Sequence, residues 1–133
     1  MRKFNFSATA LILFLSTVFA FSQSDLMVWN GSSEELEKYI NSKDEHKNAI
    51  ALQKIIMNPE IEIANYLCYD IYRMYRNHNN DKIRQMALVA LYKMEHFNLL
   101  KNLKDDLYEE KNPQLRRQIF LILEKMPVLT KLD

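Results

Sequence analysis

Glycine is almost missing from this chain of 133 residues: Gly31 is the only one, and the three prolines are Pro59, Pro113 and Pro127. Folds rich in β-strands use glycine freely in their hairpins. Here asparagine, serine and proline mark the breaks between apolar segments instead. The composition therefore predicts an all-α fold.

Cysteine is equally scarce, since Cys68 is the only one. A single cysteine forms no internal disulfide, so an exported form of this chain would be held together by packing alone. Cys68 lies among apolar residues, and we expect a buried small hydrophobe rather than a reactive thiol. A lipid anchor at a cleaved N-terminus would need a cysteine there, and the sequence has none at that place.

Neither sign of charge is in strong excess, with 18 basic and 17 acidic residues. Loss of Arg2 and Lys3 with a leader would leave 16 basic residues against the 17 acidic ones. A nearly neutral protein has no electrostatic footprint for nucleic acid and no polybasic segment for anionic lipid. We therefore expect no nucleic-acid partner. The sequence also has no glycine-rich phosphate loop, and we expect no cofactor.

Residues 1–22 have the pattern of a secretory signal peptide. Arg2 and Lys3 precede an uncharged stretch whose apolar centre spans residues 8–21. We favour cleavage before Gln23, because the Phe-Ser-Gln-Ser ending resembles that of exported proteins from Gram-negative bacteria; a cut two residues earlier also fits. An uncleaved anchor is the alternative, although the apolar run is shorter than the ~20 residues that span a bilayer. We expect a periplasmic or secreted protein without a stable membrane anchor.

The next segment, residues 23–41, is predicted to be an N-terminal arm followed by a short capping helix. Ser32 and Glu35 match a capping box and predict a helix from about residue 33 to residue 40. Ser42 and Glu45 repeat this signal and predict a second helix, which ends near residue 57.

Four further helices complete the predicted set. Asn58-Pro59 predicts a third helix over residues 59–76, because proline is favoured in the first helical turn. A helix capped by Asn80 should run to Met94, with a partner helix over residues 97–110. Asn112-Pro113 should then open a last helix that ends before Pro127.

The strongest pattern is a repeat with an offset of 32 residues between residues 80–94 and residues 112–126. Matched pairs are Asn80 and Asn112, Ile83 and Leu115, Arg84 and Arg116, Leu91 and Leu123, and Met94 and Met126. A fixed period of this size is typical of stacked helical repeats.

The two matched units resemble HEAT repeats through the openings Asn80-Asp81-Lys82-Ile83-Arg84 and Asn112-Pro113-Gln114-Leu115-Arg116, each followed by apolar residues at helical spacing. This resemblance implies antiparallel helix pairs stacked into a right-handed α-solenoid. It also implies that the arginine of each unit helps to hold adjacent repeats in register. We expect about two and a half hairpins over residues 42–127, with the last helix unpaired and a C-terminal tail over residues 128–133. A compact bundle of five or six helices is the alternative.

Catalytic and metal-binding patterns are weak. His46, His78 and His96 lie in no recognisable catalytic motif, and no glycine-framed nucleophilic serine is present. His78, Asp81 and His96 are the candidate metal ligands of this sequence. A whole helix, ~20 Å long, separates the two histidines, which argues against a shared site. We expect no catalytic site and no metal site.

Tyrosines give the more informative surface pattern. Tyr66, Tyr69 and Tyr72 step around the third predicted helix away from its apolar face, with Arg73 and Arg76 beside them. One interpretation is that the tyrosines cover a seam against the preceding helix and that the arginines are solvated near a helix end. The other is a surface for a protein partner, since exposed tyrosines supply contact area with a polar tip.

The paired arginines, Arg84 and Arg116, also have two interpretations. They either pair with acids of a neighbouring repeat, with Asp81, Asp105 and Asp106 as candidates, or form a ligand-facing basic ladder that includes Arg117. Their identical placement favours the structural role.

A non-enzymatic protein-interaction module is the function that this sequence favours, by analogy with extended helical stacks. An enzyme accessory or inhibitor subunit is a second hypothesis. A small-ligand-binding helical domain is the third.

Overall fold

The computed structural model describes residues 32–126, so the expected signal peptide, most of the N-terminal arm and the C-terminal tail lie outside the described residues. The described part consists of helices and contains no strand, which confirms the predicted all-α fold. The helices are α1 (Ser33–Ile40), α2 (Glu45–Met57), α3 (Asn65–Asn77), α4 (Asp81–Lys93), α5 (Leu103–Glu109) and α6 (Pro113–Lys125). Among them, none combines the length and the apolar character that crossing a membrane requires.

Side-chain caps start most of these helices. Ser32 Oγ accepts the backbone N–H of Glu35 at 3.2 Å, as the capping box predicted. Asn80 and Asn112 cap α4 and α6 in the same way, at 2.8 and 2.9 Å. Each cap satisfies an N–H group that the first helical turn leaves without a partner.

The cap of α2 differs from the prediction, because Asp44 rather than Ser42 occupies that position. Asp44 Oδ1 accepts the N–H of His46 at 2.9 Å, and the helix begins at Glu45. Ser42 Oγ instead accepts the N–H of Asp44 itself at 3.0 Å. The predicted cap was therefore wrong by two residues, since serine supports the cap rather than forming it.

The predicted start of α3 at Pro59 was also wrong. Residues 61–64 are not helical, and α3 begins only at Asn65. Ile61 and Ile63 pack against the core, while the glutamates on either side of Ile61 are exposed. This alternation has the period of two of an extended chain, and it overrides the helix-starting tendency of the Asn-Pro pair.

The link between α4 and α5 is longer than predicted, since only Leu103–Glu109 of the expected 97–110 helix is α-helical. A tight turn closes α4, in which His96 N–H donates to the carbonyl of Leu91 at 2.9 Å and Glu95 adopts a φ of 58°. Three successive turns with bonds between residues three apart then lead into α5. Glycine normally occupies the left-handed position of such a turn.

The helices pack as three successive pairs: α1 with α2, α3 with α4, and α5 with α6. In addition α4 packs on both α2 and α6, and α1 packs on α3. Helix α4 is therefore central, and every residue from Gln85 to Tyr92 is buried. Helix α4 is thus covered on more than one side.

These pairs differ from the expected ones. We expected α4 to pair with the segment after it and the last helix to be left alone. Helix α6 packs instead with α5, because the short link over residues 110–112 folds the two helices together, whereas residues 94–102 separate α5 from α4.

Candidate interaction surfaces

One side of α3 carries two exposed tyrosines. Tyr66 and Tyr69 are 51 and 52% exposed, whereas Leu67 and Ile71, on the other side of the helix, are buried. We call Tyr66, Tyr69 and Arg73 the tyrosine face, since these three predicted surface residues are exposed.

Tyr66 is fixed in place by a neighbouring helix. Its hydroxyl donates a hydrogen bond to Glu37 Oε1 on α1. The bond to this carboxylate raises the pKa of Tyr66. The phenol ring is therefore held across the α1–α3 boundary, which reduces the side-chain entropy that binding would cost.

The remaining predicted surface residues have partners within the protein. Tyr72 is partly buried, with its ring centroid 6.0 Å from that of Tyr75. Arg76 is exposed but forms an ion pair with Asp106 of α5. Arg73 pairs with Asp70 on its own helix and stays mostly in solvent. We leave Tyr72 and Arg76 out of the tyrosine face because each has a contact with a buried residue.

Asp106 is the acceptor of a small polar cluster between α3 and α5. This buried carboxylate accepts a 2.7 Å hydrogen bond from the hydroxyl of Tyr75 and pairs with Arg76. Burial and the bond to Asp106 together raise the pKa of Tyr75. Burial lowers the pKa of Arg76, but the charge of Asp106, the nearby Tyr72 and the hydrogen bond to Asp106 together outweigh it and leave that pKa above its ordinary value.

A second set of contacts recurs from pair to pair, and we call it the register contact. The fourth residue after the helix cap is Asn48 in α2 and Arg84 in α4. Asn48 Nδ2 and Arg84 Nε each donate, at 2.8 Å, to the carbonyl nine residues earlier, that of Tyr39 and that of Tyr75. Each bond ties an even-numbered helix to the end of the helix before it.

The same side chains also reach the following pair. Asn48 Oδ1 lies 3.3 Å from His78 Nε2, and Arg84 binds both carboxylate oxygens of Glu110. His78 Nδ1 and Glu110 Oε2 in turn accept the N–H of the next cap, at 2.9 and 3.0 Å. Since Nδ1 of His78 is the acceptor, Nε2 carries the proton and donates to Asn48.

Arg84 has the structural role that its position favoured. It also contacts Asp81 at 3.2 Å, but Asp81 lies three residues earlier on the same helix rather than in a neighbouring repeat, and the principal partner Glu110 was missed. Burial lowers the pKa of Arg84, and the bonds to Glu110 and Asp81 more than offset this and raise it. Arg116 occupies the same position in α6 but is exposed, and within residues 32–126 no hydrogen bond or ion pair engages its side chain.

The two asparagine caps link successive even-numbered helices as well. Asn80 Nδ2 donates to Glu45 at 3.0 Å, and Asn112 Nδ2 donates to Asp81 at 2.8 Å. Each acceptor is the first residue of the preceding even-numbered helix. In α6 this first position is Pro113, which offers no acceptor, so the ladder of caps stops there.

One cleft contains a histidine. It measures about 520 Å³ and is lined by His78 together with Asn48, Lys43 and Arg73, while neither His46 nor His96 lines it. Among the described residues no three His, Cys, Asp or Glu side chains are grouped so as to hold a metal ion. Cys68 is buried, as expected, and burial raises the pKa of its thiol.

A second aromatic surface, which the sequence analysis missed, lies where α5 meets α6. Tyr108 and Phe120 are 84 and 49% exposed. They line a groove of about 390 Å³ with Arg116 and Arg117. The sequence signal was the presence of Arg117 and Phe120 at positions that hold Gln85 and Leu88 one repeat earlier.

Comparisons of the chain with protein-family models, with curated proteins and with solved structures find no match.

Proposed function

We propose that this chain is a non-enzymatic, exported protein-interaction module that binds a protein partner through the tyrosine face of α3. The observation that carries this proposal is the half exposure of Tyr66 and Tyr69 on a helix whose opposite side is core. Tyrosine is enriched at protein interfaces, because its large ring is apolar and its hydroxyl forms hydrogen bonds.

The preorganisation of this surface supports the same function. Glu37 holds the ring of Tyr66, and Tyr72 lies beneath the surface against Tyr75. Arg73 supplies an exposed guanidinium at the edge, where a polar rim is expected. A partner therefore meets a rigid helix surface rather than one that must be ordered on binding.

We further propose that the scaffold is a short α-solenoid of HEAT-like type. Three successive helix pairs and a register contact that recurs between them support this architecture. The signal pattern of residues 1–22 supports export to the periplasm or the exterior. The alternative architecture, a compact helical bundle, does not require a contact that repeats from one helix pair to the next.

The test is capture of a partner from the native envelope fraction with the chain from Gln23 onward. A double variant, Tyr66→Ser with Tyr69→Ser, should lose the captured protein while keeping its helical circular dichroism. Met57→Ser is the matched control, because it removes an exposed apolar side chain from α2. It should capture normally.

Retention of the same protein by the double variant would contradict the tyrosine face as the binding surface. Capture of nothing by either form would contradict the interaction module itself. If the captured protein is an enzyme whose activity changes on binding, the chain is an accessory or inhibitor subunit.

A further inference from the structure

The last helix has one side that its equivalents cover. The eighth residue after the cap is Leu52 in α2, Leu88 in α4 and Phe120 in α6. Leu52 and Leu88 are fully buried, but Phe120 is 49% exposed. Since α4 packs on α2 and α6 packs on α4, the exposed side of α6 is the one on which a further helix would pack.

The residues around Phe120 are charged where their equivalents in α4 are not. Gln85 and Tyr92 of α4 are buried, and their equivalents in α6 are the exposed Arg117 and Glu124. An apolar ring surrounded by charges is the composition of a surface that meets a partner reversibly, rather than that of a permanent core.

Within residues 32–126, Arg116 lacks the acid that its equivalent Arg84 holds. Arg84 binds Glu110 of the following pair through two nitrogens, and this bidentate contact fixes the next helix. Arg116 stands at the same position, exposed, with Arg117 beside it. The described residues thus contain one arginine–glutamate site, at Arg84, and one equivalent arginine, Arg116, with which no described acid pairs.

The space next to Arg116 suits a polypeptide. The groove of about 390 Å³ is continued by a depression of about 230 Å³, and both are lined by Leu107, Tyr108 and Phe120. The guanidinium groups lie at one end of this apolar strip, because Arg116 and Arg117 line only the first of the two.

We propose that this end of the helix stack binds an acidic segment of a partner protein. A glutamate of that segment pairs with Arg116 as Glu110 pairs with Arg84, and an apolar neighbour packs on Tyr108 and Phe120. The two arginines favour a ligand that carries carboxylates. The apolar strip favours a polypeptide over a small inorganic anion, because a peptide also has apolar side chains that can pack there. This surface is separate from the tyrosine face, so its test is independent of the proposed function.

The probe is a fluorescein-labelled synthetic peptide that copies residues 103–110, an acidic segment that contains Glu110 and the apolar Leu107. Binding is measured by fluorescence anisotropy on the chain from Gln23 onward. The peptide should bind at least tenfold more weakly when both of its glutamates are replaced by glutamine. Binding should also weaken when the salt concentration is raised from about 50 to about 500 mM, because the Debye length shortens and exposed charges are screened more strongly.

The protein variants locate the site. Arg116→Gln with Arg117→Gln should reduce affinity for the peptide at least tenfold, and Phe120→Ser should reduce it too. Arg73→Gln is the matched control, because it removes an exposed arginine from α3. Since all these side chains are exposed, the variants should keep the helical circular dichroism of the wild type.

Five outcomes would overturn the proposal. Equal binding of the neutral peptide, or equal loss in Arg73→Gln, would show that Arg116 does not recognise the carboxylate. Binding that appears only when the protein ends at Met126 would make residues 127–133 the occupant. Self-association that the Arg116 and Arg117 variant abolishes would make a second copy of this chain the occupant. A labelled single-stranded oligonucleotide that binds at least as tightly as the peptide would replace the acidic segment as the ligand.

Discussion

The hydroxyl of Tyr75 donates a 2.7 Å hydrogen bond to the buried carboxylate of Asp106, and this bond joins α3 to α5 across 31 positions of sequence. Arg76 binds the other oxygen of the same carboxylate. Helix α5 has only seven residues and could not hold its place by its own helical bonds. We infer that the Asp106 cluster positions it.

This cluster predicts a dependence of stability on alkaline pH. Because the pKa of Tyr75 is raised above 10.0, the folded protein keeps a proton that the unfolded chain loses above pH 10. The contribution of Tyr75 is therefore fully present below pH 10 and falls as the pH rises. Between pH 10 and 11 the unfolding free energy of the wild type should decline more steeply than that of Tyr75→Phe, by up to about 1.4 kcal/mol per pH unit.

Urea unfolding at pH 8, 10 and 11 measures this difference. At pH 8 the Tyr75→Phe variant should be less stable by about 1 kcal/mol, the usual contribution of one hydrogen bond. Parallel pH profiles for the two proteins would show that Tyr75 does not retain its proton.

Asn48 should stabilise the C-terminal end of α1. Its buried amide donates to the carbonyls of Tyr39, Ile40 and Ser42, which form the end of α1 and the turn after it. Asn48→Ala should cost about 3 kcal/mol of unfolding free energy, because several buried acceptors lose their donor. Hydrogen exchange of α1 amides should accelerate before that of α4. Asn79→Ala, at an exposed loop position, should cost less than about 0.5 kcal/mol.

Glu95 occupies a position that suits glycine. Its φ of 58° is left-handed, and a side chain there makes the conformation unfavourable. We expect Glu95→Gly to raise the unfolding free energy by about 1 kcal/mol. Arg117→Gly, in the middle of α6, should lower it by a similar amount, because glycine destabilises helix interiors. Destabilisation by both changes would contradict the assigned turn.

Gln118 is a buried side chain whose amide atoms both lack a hydrogen-bond partner within the described residues. The equivalent residue of α4 is Met86, which is fully buried. Gln118→Met should therefore raise the unfolding free energy by about 1 kcal/mol, since burying an amide without a partner is costly. Thermal unfolding of both proteins checks the sign, and a lower midpoint for Gln118→Met would mean that the amide has a partner after all.

Features that depend on neighbouring residues were predictable from the sequence. The asparagine caps of α4 and α6 were predicted correctly, because a cap needs only its own side chain and the following turn. The start of α3 was not. The alternation of Ile61 and Ile63 was present in the sequence, but the Asn-Pro signal was given more weight than burial.

Features that depend on distant residues were predicted less well. The pairing of Arg76 with Asp106 joins residues 30 positions apart, and no local pattern distinguishes Arg76 from the exposed Arg73. The repeat identified Arg84 and Arg116 as equivalent positions. The repeat did not show that Arg84 would pair with Glu110 and that Arg116 would be exposed. That difference depends on residues about 26 positions further along the chain rather than on the repeat itself.

The measurement that tests this account most directly compares Arg84→Gln with Arg116→Gln in urea unfolding at neutral pH. The two variants change the same residue at the same repeat position. Arg84→Gln removes the partner of Glu110, whose side chain is 9% exposed, and the bond to the carbonyl of Tyr75.

We expect Arg84→Gln to lose about 2–3 kcal/mol, somewhat less than a fully buried pair because Arg84 is itself 17% exposed. Arg116→Gln should change the unfolding free energy by less than about 0.5 kcal/mol. That difference would establish that the register contact is closed within the stack and open at α6. Equal losses in the two variants would contradict it.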